Sequence, residues 1–258
     1  MNSRDHFPIQ EAFASIQGEG LFVGEAQVFV RLMGCPLRCR WCDTPRALGL
    51  PGANPIAAED SEAPAWSSLD DAAQRIDALD PSGSQAISIT GGEPLMWPEF
   101  ITGLRARLPG RRLHLETAGA FPAALEEVLG SVDHISADHK LPADLTRPVA
   151  LGPEFESPPR NAADWRETRR RVLALVAERD ACFKLVVAAE RGWPDFEEIL
   201  ADHVQFAPRL PLFLQPVTPT SGVAAPDPDQ LLDLACRASS MGLSVRVVPQ
   251  QHVQLGVR

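Results

Sequence analysis

The chain has no tyrosine and only two lysines among its 258 residues; the other 22 of its 24 basic residues are arginines. If this chain uses arginine wherever only a positive charge is needed, Lys140 and Lys184 mark positions where a compact ammonium suits better than a planar guanidinium. The 34 acidic residues set the formal net charge at −10. That charge excludes broad, non-specific nucleic-acid binding, which needs a basic surface. It still allows a small anionic substrate held by a few arginines.

Long apolar stretches are also missing. No run approaches the roughly 18 apolar residues of a membrane span, and residues 1–20 lack the apolar core of a signal peptide. Of the five cysteines, three fall within eight residues, at Cys35, Cys39 and Cys42. A disulfide framework would not cluster them so tightly, whereas a metal site in a reducing compartment would. We therefore expect a cytoplasmic protein without a membrane partner.

Apolar runs and amphipathic stretches alternate along the chain, which predicts βαβ units and a mainly parallel sheet in one domain over residues 1–258. Two segments without periodicity, 45–67 and 147–160, are predicted to be loops. The predicted strands are 26–32, 85–90, 112–116, 133–138, 182–188, 210–215 and 243–248, and the predicted helices are 68–80, 98–108, 122–130, 161–179, 194–203 and 227–241.

The strongest chemical signal is GCPLRCRWCDT at residues 34–44, with C-x3-C-x2-C spacing directly after a strand. Structural zinc sites usually use two separated C-x2-C pairs, and no second pair exists. Three thiolates on one loop can instead hold three irons of a cubane cluster and leave the fourth iron open. A three-cysteine zinc site completed by a distant histidine remains the alternative. We expect Cys182 and Cys236 to be buried small residues.

The cysteine spacing, with Trp41 before the third cysteine, resembles the radical S-adenosylmethionine (SAM) superfamily, and SITGGEP at 88–94 matches its second motif. The resemblance implies an α/β fold, a partial TIM-type barrel, with a 4Fe-4S cluster on the three cysteines. Polar residues that end neighbouring parallel strands should share one sheet edge and face SAM. The residues expected at SAM are Trp41, Cys42, Asp43, Gly91, Gly92, Glu93, Glu116, Ser136, Asp138, Lys140 and Gln215.

The two ends of the chain suggest the substrate. In EAFASIQGEGLFVGEAQVFVRLMGC, residues 11–35, a strand rather than a helix follows the glycines, so a dinucleotide-binding loop is excluded. Glu19 offers a carboxylate for ring N–H donors, and Arg31 offers a guanidinium for a carboxylate. This segment and PQQHVQLGVR at 249–258 resemble the 7-carboxy-7-deazaguanine synthase family. The resemblance places Ile16, Gln17, Gly18, Glu19, Arg31, Thr90, Gln250, His252 and Arg258 at a pterin substrate and Thr44 on Mg²⁺.

The implied reaction is a radical SAM lyase reaction that converts 6-carboxy-5,6,7,8-tetrahydropterin into 7-carboxy-7-deazaguanine and releases ammonia, for deazapurine and queuosine biosynthesis. The implied partners are a flavodoxin or ferredoxin-type reductant and a second copy of the chain in a homodimer. Two rival functions are an activating enzyme that installs a glycyl radical and a zinc-stabilised binding module. Lys140 is a candidate ligand contact, and Lys184 is either a cavity-facing charge or a structural strand residue.

Overall fold

The computed structural model describes residues 5–50 and 65–258, and within them nine strands form one sheet in the order β3-β1-β2-β4-β5-β6-β7-β8-β9. The strands are β1 His6–Ile16, β2 Ala26–Leu32, β3 Ala65–Ser68, β4 Ala86–Gly91, β5 Leu113–Thr117, β6 His134–Asp138, β7 Ala181–Val187, β8 Leu212–Pro216 and β9 Val245–Val247. From β2 to β9 every neighbouring pair is parallel, whereas β1 pairs antiparallel with β2 and with β3. The sheet has two separate edge strands, so it forms an open, partial barrel.

Helices connect most of the parallel strands and carry the expected end signals. They are α1 Leu69–Leu79, α2 Pro98–Arg107, α3 Pro122–Val128, α4 Ala162–Val176, α5 Trp193–Phe206, α6 Pro228–Ser240 and α7 Gln251–Leu255. Ser68 and Asp71 form a capping box at α1. The Asp227 side chain accepts a hydrogen bond from the Asp229 amide at the start of α6, and Gly242 follows that helix with a φ of 92°. Within the described ranges no helix is long and apolar enough to cross a membrane.

The predicted alternation is confirmed for the seven parallel strands and their helices, but two strands and one helix were not predicted. The prediction of a loop over 45–67 is wrong at its end, because Ala65–Ser68 is strand β3, paired with β1. Pro45–Ala47 is one turn of 3₁₀ helix, and 51–64 lie outside the described residues. The pairing partner of β3 is more than fifty residues away in sequence, so local periodicity carries no signal for it.

The expectation for the two isolated cysteines is confirmed for Cys182 and wrong for Cys236. Cys182 is fully buried in β7, whereas Cys236 is exposed on α6. In α6 the buried face carries Leu234 and Ala238, four residues apart. Cys236 lies midway between them and so points to the opposite side of the helix.

Candidate active site

A cavity of about 590 Å³ lies at the carboxyl ends of the parallel strands. It is lined by the cysteine loop, by the ends of β4 to β8 and by residues from both ends of the chain. In parallel α/β folds this edge is the usual place for ligands, because loops and strand ends converge there. This cavity therefore coincides with the edge to which the sequence assigned the polar strand ends.

Cys35, Cys39 and Cys42 are free thiols that line this cavity. Backbone hydrogen bonds hold their loop on both sides: the Cys35 amide donates to the Leu48 carbonyl at 3.2 Å, and Cys39 pairs with Leu145 in an isolated antiparallel bridge. Burial, together with the nearby Glu93 carboxylate, raises the pKa of Cys35 to about 12. A bound cation is therefore needed to keep the Cys35 sulfur as a thiolate.

The donor set fits an iron–sulfur cluster. Each cysteine in a cubane binds a different iron, so the three sulfurs need not converge on one point. Across residues 5–50 and 65–258, no group of three or more His, Cys, Asp or Glu side chains is arranged to hold a single metal ion. The three-cysteine zinc site completed by a histidine thus has no geometric support among these residues.

The two glycines at the end of β4 pack against the backbone of β2 and of the cysteine loop. A Cβ added to Gly91, which has a φ of 121°, would lie 2.1 Å from the Leu32 carbonyl oxygen, and one added to Gly92 would lie 2.3 Å from the Gly34 carbonyl oxygen. Backbone atoms cannot give way as a flexible side chain can. Glycine is therefore required at both positions for the end of β4 to lie beside the loop.

Glu93 completes this turn but points away from the cavity. Its fully buried carboxylate accepts hydrogen bonds from the Thr117 hydroxyl at 2.7 Å, the Ala118 amide at 2.8 Å and the Leu95 amide at 3.0 Å. Burial raises the pKa of Glu93, although these three donors oppose the shift. Glu93 thus ties the end of β4 to the end of β5.

Four charged side chains meet on the wall of the cavity. The Lys184 ammonium donates to Glu19 at 2.6 Å and to Glu116 at 2.8 Å, and it lies 3.7 Å from Asp138. Burial works against its charge, but these carboxylates hold the pKa of Lys184 well above its ordinary value. The two readings left open for Lys184 are thereby decided: it faces the cavity.

The second lysine lies on the same wall. Lys140 donates to the second oxygen of Asp138 at 2.6 Å, and its ammonium lies 4.5 Å from the centroid of the Trp41 ring. Burial opposes its charge too, but Asp138 and the Cys39 sulfur raise the pKa of Lys140 above its ordinary value. The indole N–H of Trp41 is buried without a hydrogen-bond partner. Trp41 and Lys140 therefore form a cation–π pair next to the cysteine loop.

The other wall is aromatic and basic. Phe13 of β1 and Phe29 of β2 are in register and stack with ring centroids 5.4 Å apart. The guanidinium groups of Arg31 and Arg258 lie 5.5 and 5.0 Å from the Phe13 centroid, and both bind Glu11. A flat anionic ligand would find stacking surface and positive charge together here. Phe13 and Phe29 were not among the predicted residues, because β1, which carries Phe13, was not predicted as a strand.

The C-terminal segment closes the cavity. The Gln250 amide donates to Glu19 at 2.7 Å and to Asp43 at 3.1 Å, and its oxygen accepts from the Thr218 hydroxyl. The Gln251 amide donates to the Gly18 carbonyl at 2.9 Å. These bonds join the cysteine loop to both ends of the chain.

The structure brings all but two of the predicted site residues to one cavity. Glu93 and Ser136 do not line it; Ser136 is buried against Cys182 behind the wall. Gln215, assigned to SAM, donates to Glu19, which was assigned to the substrate. The predicted residues that line the cavity are Ile16, Gln17, Gly18, Glu19, Arg31, Cys35, Cys39, Trp41, Cys42, Asp43, Thr44, Thr90, Gly91, Gly92, Glu116, Asp138, Lys140, Gln215, Gln250, His252 and Arg258.

Comparison with known proteins agrees with this geometry. Residues 30–157 match the model of the Radical SAM superfamily. The crystal structure of QueE from Escherichia coli has the same fold, with a TM-score of 0.60 at 21% identity, covering 96% of this chain and 95% of that chain. The chain thus has the radical SAM fold, and its cysteine loop lies within the residues that match the superfamily model.

Relatives that match over nearly the whole chain identify the family within this superfamily. The chain is 36% identical over 256 residues to 7-carboxy-7-deazaguanine synthase of Methanothermobacter thermautotrophicus, covering 97% of this chain and 98% of the relative. It is 33% identical over 268 residues to the enzyme of that name from Geobacter sulfurreducens, covering 96% of each. The chain belongs to the 7-carboxy-7-deazaguanine synthase family.

Proposed function

We propose that this chain is a radical SAM lyase that converts 6-carboxy-5,6,7,8-tetrahydropterin into 7-carboxy-7-deazaguanine with loss of ammonia, in deazapurine and queuosine biosynthesis. One observation carries the proposal: residues from both ends of the chain meet the cysteine loop in a single cavity. A glycyl-radical activating enzyme needs only the cysteine loop and the Gly-Gly-Glu turn. It has no need of the Glu19, Arg31 and Gln250 arrangement.

Cys35, Cys39 and Cys42 would hold the cluster, and SAM would lie between that loop and the ends of β4 to β6. When bound, the cluster and SAM together supply a radical that removes a hydrogen atom from the substrate. Asp138 and Glu116 offer carboxylate oxygens to ligand hydroxyl or amino groups. Asp138 is suited to this task because one of its buried oxygens has no hydrogen-bond partner.

The chain's own contribution is to orient the pterin and exclude water. Arg31 and Arg258 would bind the substrate carboxylate, for which Glu11 now substitutes. Glu19 would accept hydrogen bonds from the ring N–H groups, and Phe13 would stack on the ring. Closure by Gln250 and His252 would shield the reacting carbon from solvent.

Magnesium would bind at Thr44. The Thr44 hydroxyl lines the cavity, where its hydrogen bond to the Gly91 carbonyl, at 3.4 Å, is long and readily replaced. Mg²⁺ accepts few protein ligands and keeps water and substrate oxygens in its shell, so a single hydroxyl is compatible with such a site. The ion would neutralise the substrate carboxylate and help to hold it.

The remaining parts of the proposal concern the protein's surroundings. The reaction needs an electron, for which a flavodoxin or ferredoxin-type protein is the proposed donor. We further propose a homodimer in the cytoplasm, where a reducing environment protects three free thiols.

The test is product formation under anaerobic conditions. The iron-reconstituted protein is incubated with SAM, a reductant, Mg²⁺ and 6-carboxytetrahydropterin, and the product is identified by mass. Cys39→Ala should abolish both the visible iron–sulfur absorbance and the product. Cys236→Ala, at the exposed cysteine on α6, is the matched control and should change neither. A colourless protein that holds one zinc, or a coloured protein that forms no deazaguanine acid, would overturn the proposal.

A further inference from the structure

The two lysines of this arginine-rich chain both lie in the active-site cavity, and Lys184 has the larger set of partners there. Its ammonium contacts carboxylates from three different elements: Glu19 after β1, Glu116 on β5 and Asp138 on β6. Only 8% of the Lys184 side chain is exposed. Water therefore cannot compensate these carboxylates for the loss of the Lys184 ammonium.

The three carboxylates depend on Lys184 to different degrees. Asp138 has Lys140 as a second cation at 2.6 Å. Glu116 has one other donor, the Gln17 amide at 3.1 Å. Glu19 has the amides of Gln215 and Gln250. Among the residues that the structure describes, Lys184 is the only cation that donates to Glu19 or Glu116.

We propose that Lys184 is a positioning residue, which holds the Glu19 carboxylate in the cavity as a hydrogen-bond acceptor for the ring N–H donors of the pterin. This inference rests on the proposed function. It adds a role for Lys184, which would act on the substrate through Glu19.

An ammonium suits this position better than a guanidinium. Its three N–H bonds diverge from one atom and can reach carboxylates that arrive from three directions, whereas the guanidinium donors lie in one plane. Arginine serves in most of the other ion pairs of the described residues, including the buried Arg111–Asp80 pair at 2.9 Å. A lysine in β7 therefore reflects the three-way contact and not a general preference for lysine.

Ionisation gives the proposal a measurable consequence. Burial by itself would raise the pKa of Glu19, but Lys184, with smaller effects from Gln250 and His252, lowers it to about 2. The charged and titratable groups around Glu19 are Lys184 on β7, Glu116 on β5, Asp138 on β6, His252 on α7 and Asp43, which reaches it through Gln250. Without Lys184, burial and the neighbouring carboxylates both favour the protonated form of Glu19.

A protonated Glu19 has lost acceptor capacity, so ligand affinity should fall as the pH falls. The probe is the stable, fluorescent 6-carboxypterin, titrated into the cluster-loaded protein with SAM between about pH 5.5 and 7.5. In Lys184→Met we expect binding about tenfold weaker at the low end of this range than at the high end, recovering as the pH rises. The wild type should lack this dependence, because its Glu19 stays ionised throughout.

Three further variants isolate the cause. In Lys184→Met combined with Glu19→Gln, the added pH dependence should vanish, since His252 and the ligand are unchanged. Arg111→Met removes a buried cation remote from the cavity and should leave the pH profile as in the wild type. Lys184→Gln keeps a hydrogen-bond donor and serves as the second neutral variant if circular dichroism shows that Lys184→Met does not fold; it should show the same dependence.

The outcomes separate this inference from the proposed function. If the wild type neither binds 6-carboxypterin nor makes the product, the proposed function fails. If the wild type binds the probe but the neutral Lys184 variants keep its pH profile, Glu19 does not depend on Lys184 and the inference is overturned.

Discussion

Gly18 allows the C-terminal helix to close over the cavity, and adding a single methyl group there tests that closure. A Cβ at Gly18 would lie 1.9 Å from Nδ1 of His252, 2.7 Å from its Cγ and 2.9 Å from its backbone nitrogen. The Gly18 carbonyl also accepts the hydrogen bond that anchors α7. Gly18→Ala should therefore push the His252 imidazole out of the cavity.

The size of the effect follows from which atoms clash. Overpacking in a fixed core costs about 1–3 kcal/mol. Here the closest atoms belong to a side chain that can rotate, so we expect about 1–2 kcal/mol, a rise of roughly 5- to 30-fold in KM for the pterin. Visible absorbance should be unchanged, because the nearest atoms to the added methyl group belong to His252 and not to the cysteine loop. The measurement is steady-state kinetics on the reconstituted enzyme.

A double-mutant cycle identifies the imidazole as the cause. In the His252→Ala background the two shortest contacts disappear, and only the 2.9 Å approach to backbone remains. Gly18→Ala should then add little, which gives a coupling energy of about 1 kcal/mol. Gly130→Ala is the matched control, since a Cβ there meets nothing within 4 Å. An equal cost of Gly18→Ala in both backgrounds would refute the reasoning.

Three further predictions concern the glycine turn, the barrel interior and the metal. Gly92→Ala should destabilise the fold by about 3 kcal/mol in urea unfolding, because its Cβ would lie 2.3 Å from the Gly34 carbonyl oxygen; a wild-type midpoint would contradict this. Burial, with His134, lowers the pKa of His114 to about 4, so its contribution to stability is complete above about pH 6.5 and is lost as the pH falls towards 4. Between pH 7 and pH 5 the free energy of unfolding of His114→Asn should therefore fall by about 2 kcal/mol less than that of the wild type. Equal falls in both proteins would exclude His114 as the source. Thr44→Ala should weaken the dependence of turnover on Mg²⁺ while Thr44→Ser preserves it; an unchanged response in Thr44→Ala would remove Thr44 from the metal site.

Local sequence was sufficient to predict the parallel part of the fold. The alternation of apolar runs with amphipathic helices predicted β2 and β4 to β9, and the helix predicted over 227–241 is α6, Pro228–Ser240. These signals depend on neighbours within a few residues, so one sequence contains them in full. Strand β3 had no such signal, because it exists through pairing with β1.

The candidate site divides in the same way. The spacing of Cys35, Cys39 and Cys42 is a property of one loop, and it predicted three thiols at one place. Glu93, in contrast, occupies a recognisable position in a motif, but its carboxylate does not line the cavity. It accepts hydrogen bonds from Thr117 and Ala118 at the end of β5. A motif states which residues occur together but not the direction in which each side chain points.

The sequence by itself determined the class of chemistry, because the three thiols and the two adjacent glycines are visible in the order of residues. The scarcity of lysine, also visible there, drew attention to Lys140 and Lys184. Only the tertiary structure decided what Lys184 does. Its partner Glu19 is 165 residues away and Glu116 is 68 residues away, and the three meet because β5 and β7 end at the same edge of the sheet. Ion pairs at that sequence separation depend on strand order and register, which only the folded chain specifies.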